Sequence, residues 1–159
     1  MNRRTFVAAV LVAAAGVSAH AAKIEDVPKY LQEISVTVRA GGSEGSGVAF
    51  VRDGVAWVWT AAHVVDGLRK TRTVVDGKGG KRTLVEFADA QVVRILIENG
   101  RVVGRLSIDA EVVRYSDADH GHDLALLRVR KKGFIPLSGR FYLVDALPKV
   151  GADLWHCGS

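Results

Sequence analysis

The sequence is poor in the residues that would identify a small protein from its composition alone. It contains one cysteine, Cys157, among 159 residues, which excludes both an internal disulfide framework and a zinc site built from several cysteines. Only 3 residues are proline, whereas 48% are hydrophobic and 25% are charged. This balance excludes disordered, collagen-like and low-complexity classes, and the length suits one globular domain.

Acidic residues are absent before Glu25, and the first 21 residues are predicted to be a secretory signal peptide. Arg3 and Arg4 provide a charged start, and the apolar run 6–16 is too short to cross a membrane as a mature helix. Small residues precede a predicted cleavage site after Ala21. The paired arginines suit a twin-arginine signal and a general secretory signal equally well.

Export to a bacterial periplasm or the extracellular space is therefore expected, with 22–159 as the mature domain. Loss of Arg3 and Arg4 lowers the formal net charge from +5 by two. The basic stretch 69–82 is expected to be a solvated loop, because Asp76 and three glycines interrupt it and it contains no aromatic side chain that could stack on bases. Neither a nucleic-acid partner nor a membrane contact after signal removal is expected, since no further apolar run is long enough to cross a bilayer.

Short segments of β-type alternation recur along the mature chain, with turn signals between them. The dipeptides Asp53-Gly54 and Asn99-Gly100 are typical of hairpin turns. One short helix is expected over 61–68. The predicted strands cover 34–38, 47–51, 55–59, 92–98, a long strand through 102–112, and 125–129. Many short strands with little helix predict an all-β antiparallel barrel or sandwich.

Two segments carry chemistry. Residues 60–63 read Thr-Ala-Ala-His, and residues 123–127 read Asp-Leu-Ala-Leu-Leu. A histidine just after a buried strand and an aspartate that opens another are what a Ser-His-Asp site requires. The imidazole takes the proton of the nucleophile, and the carboxylate fixes the tautomer of the ring.

With these segments in this order, the chain resembles the trypsin-like serine proteases, and the bacterial HtrA-type members most closely. Residues 45–48 look like the strand start that precedes the histidine strand in these proteases, and 151–158 look like the first strand of their second barrel. The resemblance spans about 33–159. It implies an antiparallel Greek-key β-barrel, with the first barrel complete and the second only begun.

The resemblance also implies a serine endopeptidase acting on polypeptides, with His63 as general base and Asp123 as its orienting carboxylate. It implies no cofactor and no metal. The family places its serine after the aspartate, in a Gly-Asn/Asp-Ser-Gly-Gly motif, and no such motif follows Asp123. The serines that do follow are Ser138, in an expected loop between barrels, and Ser159. Residues 42–47 contain serines before His63 but are expected to be a flexible loop entering a strand.

The chain alone is therefore expected not to hydrolyse peptides, because the members of a triad act as a unit. Three explanations compete. The chain is the amino half of a protease cut short before the catalytic serine, or one chain of a split protease, or a non-catalytic binding or scaffold module. The first is favoured because 154–157 reads as a strand rather than as the end of a finished domain.

Other residues suggest sites less strongly. A dense group of acids and imidazoles could bind Zn, Ni or Cu, but their adjacency in one loop suits a compact metal shell poorly and the protease motif already accounts for Asp123. That group comprises Asp117, Asp119, His120, His122 and Asp123. Trp57 and Trp59 share one strand face and are expected to pack. Cys157 is expected to pair with a cysteine elsewhere or to be unpaired in a buried strand.

Overall fold

Residues 26–141 and 148–158, the part of the chain that a computed structural model describes, form eight strands and two short α-helices. The predicted signal peptide lies outside the described residues. A 3-10 turn, Asp66–Leu68, follows the second helix. The elements are α1 (Val27–Ile34), β1 (Ser35–Ala40), β2 (Ser43–Arg52), β3 (Val55–Thr60), α2 (Ala62–Val65), β4 (Arg69–Val75), β5 (Lys81–Phe87), β6 (Ala90–Glu98), β7 (Arg101–Ser116) and β8 (Leu124–Val129).

Six of the strands close into an antiparallel barrel in the order β1-β2-β3-β8-β7-β6. β6 returns to pair with β1, so that β6-β1-β2-β3 has the strand order of a Greek key. The predicted all-β antiparallel barrel is confirmed. Closure matters because it leaves no unpaired edge among the six strands, and each strand therefore has one fixed pair of neighbours.

Small and β-branched side chains fill the barrel interior. Along β3, Ala56, Val58 and Thr60 point inward and are buried, whereas the two tryptophans between them are half-buried on the outside. In β8 the alternation is the same, with Leu127 fully buried. A six-stranded barrel is narrow, and residues of this size suit its interior.

The two predicted hairpin dipeptides form the β2–β3 and β6–β7 turns. Asp53 and Gly54 have φ of 53° and 72°, and Asn99 and Gly100 have φ of 51° and 73°. Two consecutive residues in the left-handed region are what a type I′ turn requires, and its twist matches that of the flanking strands. These turns set the register of four of the six barrel strands.

One helix was not predicted. α1 begins after Asp26, whose Oδ1 accepts a hydrogen bond from the N–H of Lys29 at 3.0 Å, and it has a proline in its first turn. The signal in the sequence was therefore Asp26 followed by Pro28. No helix in the described part of the chain has the length and apolar character that crossing a bilayer would demand.

Three other expectations were wrong. Residues 43–47 belong to β2 and pair with β1, so they are not a flexible loop. The basic stretch 69–82 is not a loop either, because it forms most of the β4–β5 hairpin, which is a separate two-stranded sheet. Residues 151–158 contain no strand, and Cys157 is exposed and unpaired. Neighbouring strands decide these outcomes, because a segment becomes a strand only where another backbone completes its hydrogen bonds.

Leu127 provides a test of this core. Replacing Leu127, which is 0% exposed, with alanine should lower the free energy of unfolding by about 2–5 kcal/mol, because the narrow barrel leaves a cavity. Urea denaturation followed by circular dichroism would measure the loss. Leu124→Ala, at a 41% exposed position of the same strand, is the control and should cost less than about 1 kcal/mol. Equal losses in both variants would contradict the inward orientation of Leu127.

Candidate active site

A single helical turn carries His63 out of the barrel. Three of the four residues of α2, namely Ala62, Val64 and Val65, are buried against the barrel. His63 is the remaining one, and its side chain is 66% exposed. Just before the turn, the Thr60 hydroxyl donates a hydrogen bond of 2.8 Å to the carbonyl oxygen of Ser46. The apolar anchors therefore hold the backbone while the imidazole stays at the surface.

Glycine in β2 lets this helical turn approach. A Cβ placed on Gly45 would lie 2.5 Å from Cγ2 of Val64, and one placed on Gly47 would lie 2.6 Å from Cγ1 of Val58. Valine side chains are stiff at χ1, so neither neighbour can move aside cheaply. These two glycines are thus required for α2 and β3 to pack against β2, and they position His63 indirectly.

Asp123 lies in a short loop directly before β8. Its φ is 48°, in the left-handed region that aspartate tolerates better than most residues. The loop is built from local hydrogen bonds. Asp117 Oδ1 accepts from the N–H groups of Asp119 at 2.8 Å and His120 at 3.2 Å, and Ser116 Oγ accepts from the N–H of His122 at 2.8 Å. This tight loop aims the Asp123 carboxylate toward α2.

The pairing of β3 with β8 brings the two residues together. Thr60 lies opposite Ala125, so His63 follows one strand and Asp123 precedes the other at the same end of the barrel. The His63 N–H donates to Asp123 Oδ1 at 3.0 Å, and Nδ1 of the ring lies 2.8 Å from Oδ2. Both carboxylate oxygens are therefore used to hold one histidine.

These contacts favour the ionised form of Asp123 and select the tautomer of the His63 ring. The backbone N–H of His63, and then its ring, hold the pKa of Asp123 below its usual value of 3.8 against the opposing effect of desolvation. An ionised carboxylate can only accept, so Nδ1 is the nitrogen that carries the proton in the neutral ring. Within residues 26–141 and 148–158, Nε2 has no hydrogen-bond partner and is free to accept a proton.

Ser138 lies away from this pair. Its Oγ accepts a hydrogen bond from the N–H of Val51 at 3.0 Å. Val51 lies opposite Ala56, whereas the end of β3 next to the histidine lies opposite Gly47. The four residue steps from Gly47 to Val51 along β2 correspond to about 13 Å. Ser138 therefore does not meet His63, and Ser159 lies outside the described residues.

The predicted group of acids and imidazoles is only partly assembled. Ligand atoms of Asp117, Asp119 and His120 lie within 4.8 Å of one another, whereas His122 and Asp123 are not part of that group. Backbone hydrogen bonds explain the arrangement, because the N–H groups of Asp119 and His120 both donate to Asp117 Oδ1. The same bonds lower the pKa of Asp117. Asp123 instead faces His63.

Sequence reasoning missed Tyr115, which supports the turn behind His63. Its hydroxyl donates a 2.8 Å hydrogen bond to Asp66 Oδ1, and its ring centroid lies 5.0 Å from that of Phe87. Burial, and then the contact with Asp66, raise the pKa of Tyr115 to about 12. No sequence signal connects residues 49 positions apart, and the contact depends on how β7 crosses behind α2.

Comparison of the chain with protein-family models, with curated proteins and with solved structures finds no match in any of the three.

The lowered pKa of Asp123 predicts how stability depends on pH. Because the folded-state pKa lies below the unfolded one, the carboxylate stabilises the fold above about pH 4, and this contribution is lost as the pH falls through the folded-state pKa. Asp123→Asn should therefore be less stable than the natural chain at pH 7, and the gap should narrow as the pH falls below about 4. Urea unfolding across that range measures it. Asp119→Asn, at an exposed position of the same loop, is the control and should change the free energy of unfolding by less than about 0.5 kcal/mol at pH 7. A gap for Asp123→Asn that is constant with pH would contradict the assignment.

The contact geometry also predicts the tautomer of the ring. In the neutral imidazole of His63 the proton should reside on Nδ1, because Asp123 can only accept there. Nitrogen-15 chemical shifts of the labelled ring distinguish the two tautomers directly. In Asp123→Asn the side-chain amide can donate a hydrogen bond to Nδ1, which favours the tautomer that carries its proton on Nε2. A proton on Nε2 in the natural chain would contradict the geometry.

Proposed function

We propose that this chain is the base-bearing part of a trypsin-like serine endopeptidase of the HtrA-like kind, exported by the predicted signal peptide. His63 is the general base and Asp123 is the carboxylate that orients it. One observation carries the proposal. The Nδ1 atom of His63 lies 2.8 Å from Asp123 Oδ2, while the other nitrogen of the same ring is open to solvent.

The pair can perform the proton transfers of peptide hydrolysis. In such a mechanism Nε2 takes the proton of a serine hydroxyl as that oxygen attacks the scissile carbonyl carbon, and later gives it to the leaving amine. Asp123 stays ionised throughout and stabilises the imidazolium, in agreement with its lowered pKa. The two hydrogen bonds that fix His63 also fix the direction in which Nε2 points.

The nucleophile in this proposal comes from residues other than these 159. No serine after Asp123 has the family motif, and Ser138 is engaged with Val51 at another part of β2. The backbone N–H donors of the oxyanion hole, and the pocket that selects the substrate side chain, would come with the same missing serine segment. The chain alone is thus expected to be inactive, and its substrate in the complete enzyme is a polypeptide.

A second function, that of a non-catalytic binding or scaffold module, is favoured by a different observation. The six barrel strands satisfy one another around a closed circuit and enclose their own core, so the barrel needs no further strand to complete its sheet. A barrel of this kind can act as a stable protein without any nucleophile. The two functions differ in one requirement: the protease needs a serine hydroxyl within hydrogen-bond distance of His63, whereas the binding module does not.

A labelling experiment separates them. The full chain is incubated with a fluorescent fluorophosphonate, alone and together with the product of the DNA that follows codon 159, in any reading frame that encodes Gly-Asn/Asp-Ser-Gly-Gly. We expect no label on the chain alone and a label on the added product only when both are present. His63→Ala should then reduce the labelling rate by at least about a thousandfold, because the triad acts as a unit.

His122→Ala is the matched control, since it removes an exposed imidazole from the loop that contains Asp123 and should leave labelling unchanged. Labelling of the chain alone would show that the nucleophile is within it and would overturn the proposal. Absence of any such downstream motif, or a product with the motif that stays unlabelled in the mixture, would also overturn the proposal and leave the binding module.

A further inference from the structure

The β4–β5 hairpin, called here the cationic ribbon and comprising residues 69–87, stands apart from the barrel. Within the described residues, β4 and β5 pair only with each other over seven residue pairs. Both outer edges therefore present unpaired backbone N–H and C=O groups. Most residues of both strands are exposed.

The base of the cationic ribbon is fixed to the barrel beside the candidate active site. The N–H of Ala88 donates to the carbonyl oxygen of Leu68 at 3.0 Å and closes the base of the hairpin. The Phe87 ring packs on Tyr115, and the Arg69 guanidinium lies 5.9 Å from the centroid of the same ring. A two-stranded hairpin alone is marginally stable in water, so these contacts hold the ribbon in a defined position.

The cationic ribbon carries a net charge nearly as large as that of the whole chain. It holds six Lys and Arg residues against two acidic residues, which is a net +4 out of +5 for the whole chain. Both acids are already engaged. Asp76 Oδ1 accepts from the N–H groups of Lys78 at 3.0 Å and Gly80 at 2.7 Å, and Glu86 pairs with Arg72 at 2.8 Å.

Five of the six cations of the ribbon have no carboxylate within ion-pair distance among the described residues. These are Arg69, Lys70, Lys78, Lys81 and Arg82. The strand register gives the ribbon two different faces, because directly opposed residues share a face. Lys70, Arg72 and Arg82 lie on one face together with Glu86, whereas Arg69, Lys81 and three threonines lie on the other. Both faces are therefore net positive, and the unpaired edges run alongside them.

We propose that the cationic ribbon binds an extended acidic polypeptide segment, which adds as a third strand to one of its free edges. Main-chain hydrogen bonds to the edge would supply affinity, as in other cases of strand addition. Side chains of an added strand alternate between faces, so carboxylates at every second position would all lie on the face that holds Lys70, Arg72 and Arg82. Seven residues of such a segment would span about 23 Å. This inference does not depend on the function proposed for His63.

The same features disfavour other occupants. A second copy of the ribbon would bring like charges together, which is destabilising between directly opposed strands. A single-stranded nucleic acid needs aromatic faces for its bases, and the one aromatic residue of the ribbon, Phe87, is packed on Tyr115. Charge complementarity and an open edge together fit an acidic peptide.

The test is a binding measurement on the full chain. The probe is a fluorescein-labelled peptide of alternating glutamate and threonine, followed by fluorescence anisotropy at low and at physiological salt. We expect saturable binding that weakens with added salt. The variant Lys70→Glu with Arg82→Glu should raise the dissociation constant at least about tenfold. Lys131→Glu with Lys132→Glu makes the same change in charge on exposed residues after β8 and should leave binding within about twofold.

A second probe isolates the edge. The same peptide methylated on alternate backbone nitrogens keeps its charge but cannot form a full ladder of hydrogen bonds, so it should bind markedly less well. Equal binding of the methylated peptide would overturn strand addition. Equal loss in the two double variants would overturn the ribbon as the site. Binding of oligothymidylate, or of vesicles containing phosphatidylserine, as tightly as the peptide would overturn the choice of an acidic polypeptide.

Discussion

The pairing of β3 with β8 is the constraint on which the candidate site depends. Thr60 and Ala125 are 65 positions apart in the chain, and their register sets where the residues just beyond them meet. His63 leaves β3 at the same end of the barrel at which Asp123 enters β8. A shift of this register by one residue would turn the buried side chains of β8 outward, so the core enforces the register as strongly as the backbone does.

Close packing at a few glycines translates this register into the geometry of the site. A Cβ at Gly45 would collide with Val64, and a Cβ at Gly47 would collide with Val58. The backbone of β2 therefore packs directly against side chains of α2 and β3. The helical turn is then held by its buried residues, while Tyr115 bonds to Asp66 from behind. His63 is exposed, yet its backbone has little freedom, which suits a base that must keep one orientation.

The parts of the fold that were predicted from sequence are those with a local cause. The Asp53-Gly54 and Asn99-Gly100 turns follow from residues that tolerate positive φ, and the inward alternation of β8 follows from its apolar periodicity. The parts that were missed have a distant cause. Residues 69–75 lack an apolar face, and only the opposite strand at 81–87 makes them a strand. Residues 151–158 have apolar side chains but no neighbouring strand among the described residues, and they form none.

The sequence by itself determined the all-β class, the hairpin turns and the two residue types that could form a proton-transfer pair. Those properties depend on periodicity and on backbone preferences that act within a few residues. Only the tertiary structure decided that His63 and Asp123 lie 2.8 Å apart, that Ser138 lies elsewhere on the barrel, and that the basic stretch is a ribbon with free edges. Each of these results from pairing between distant strands, because a backbone hydrogen bond fixes position only once both of its partners are in place.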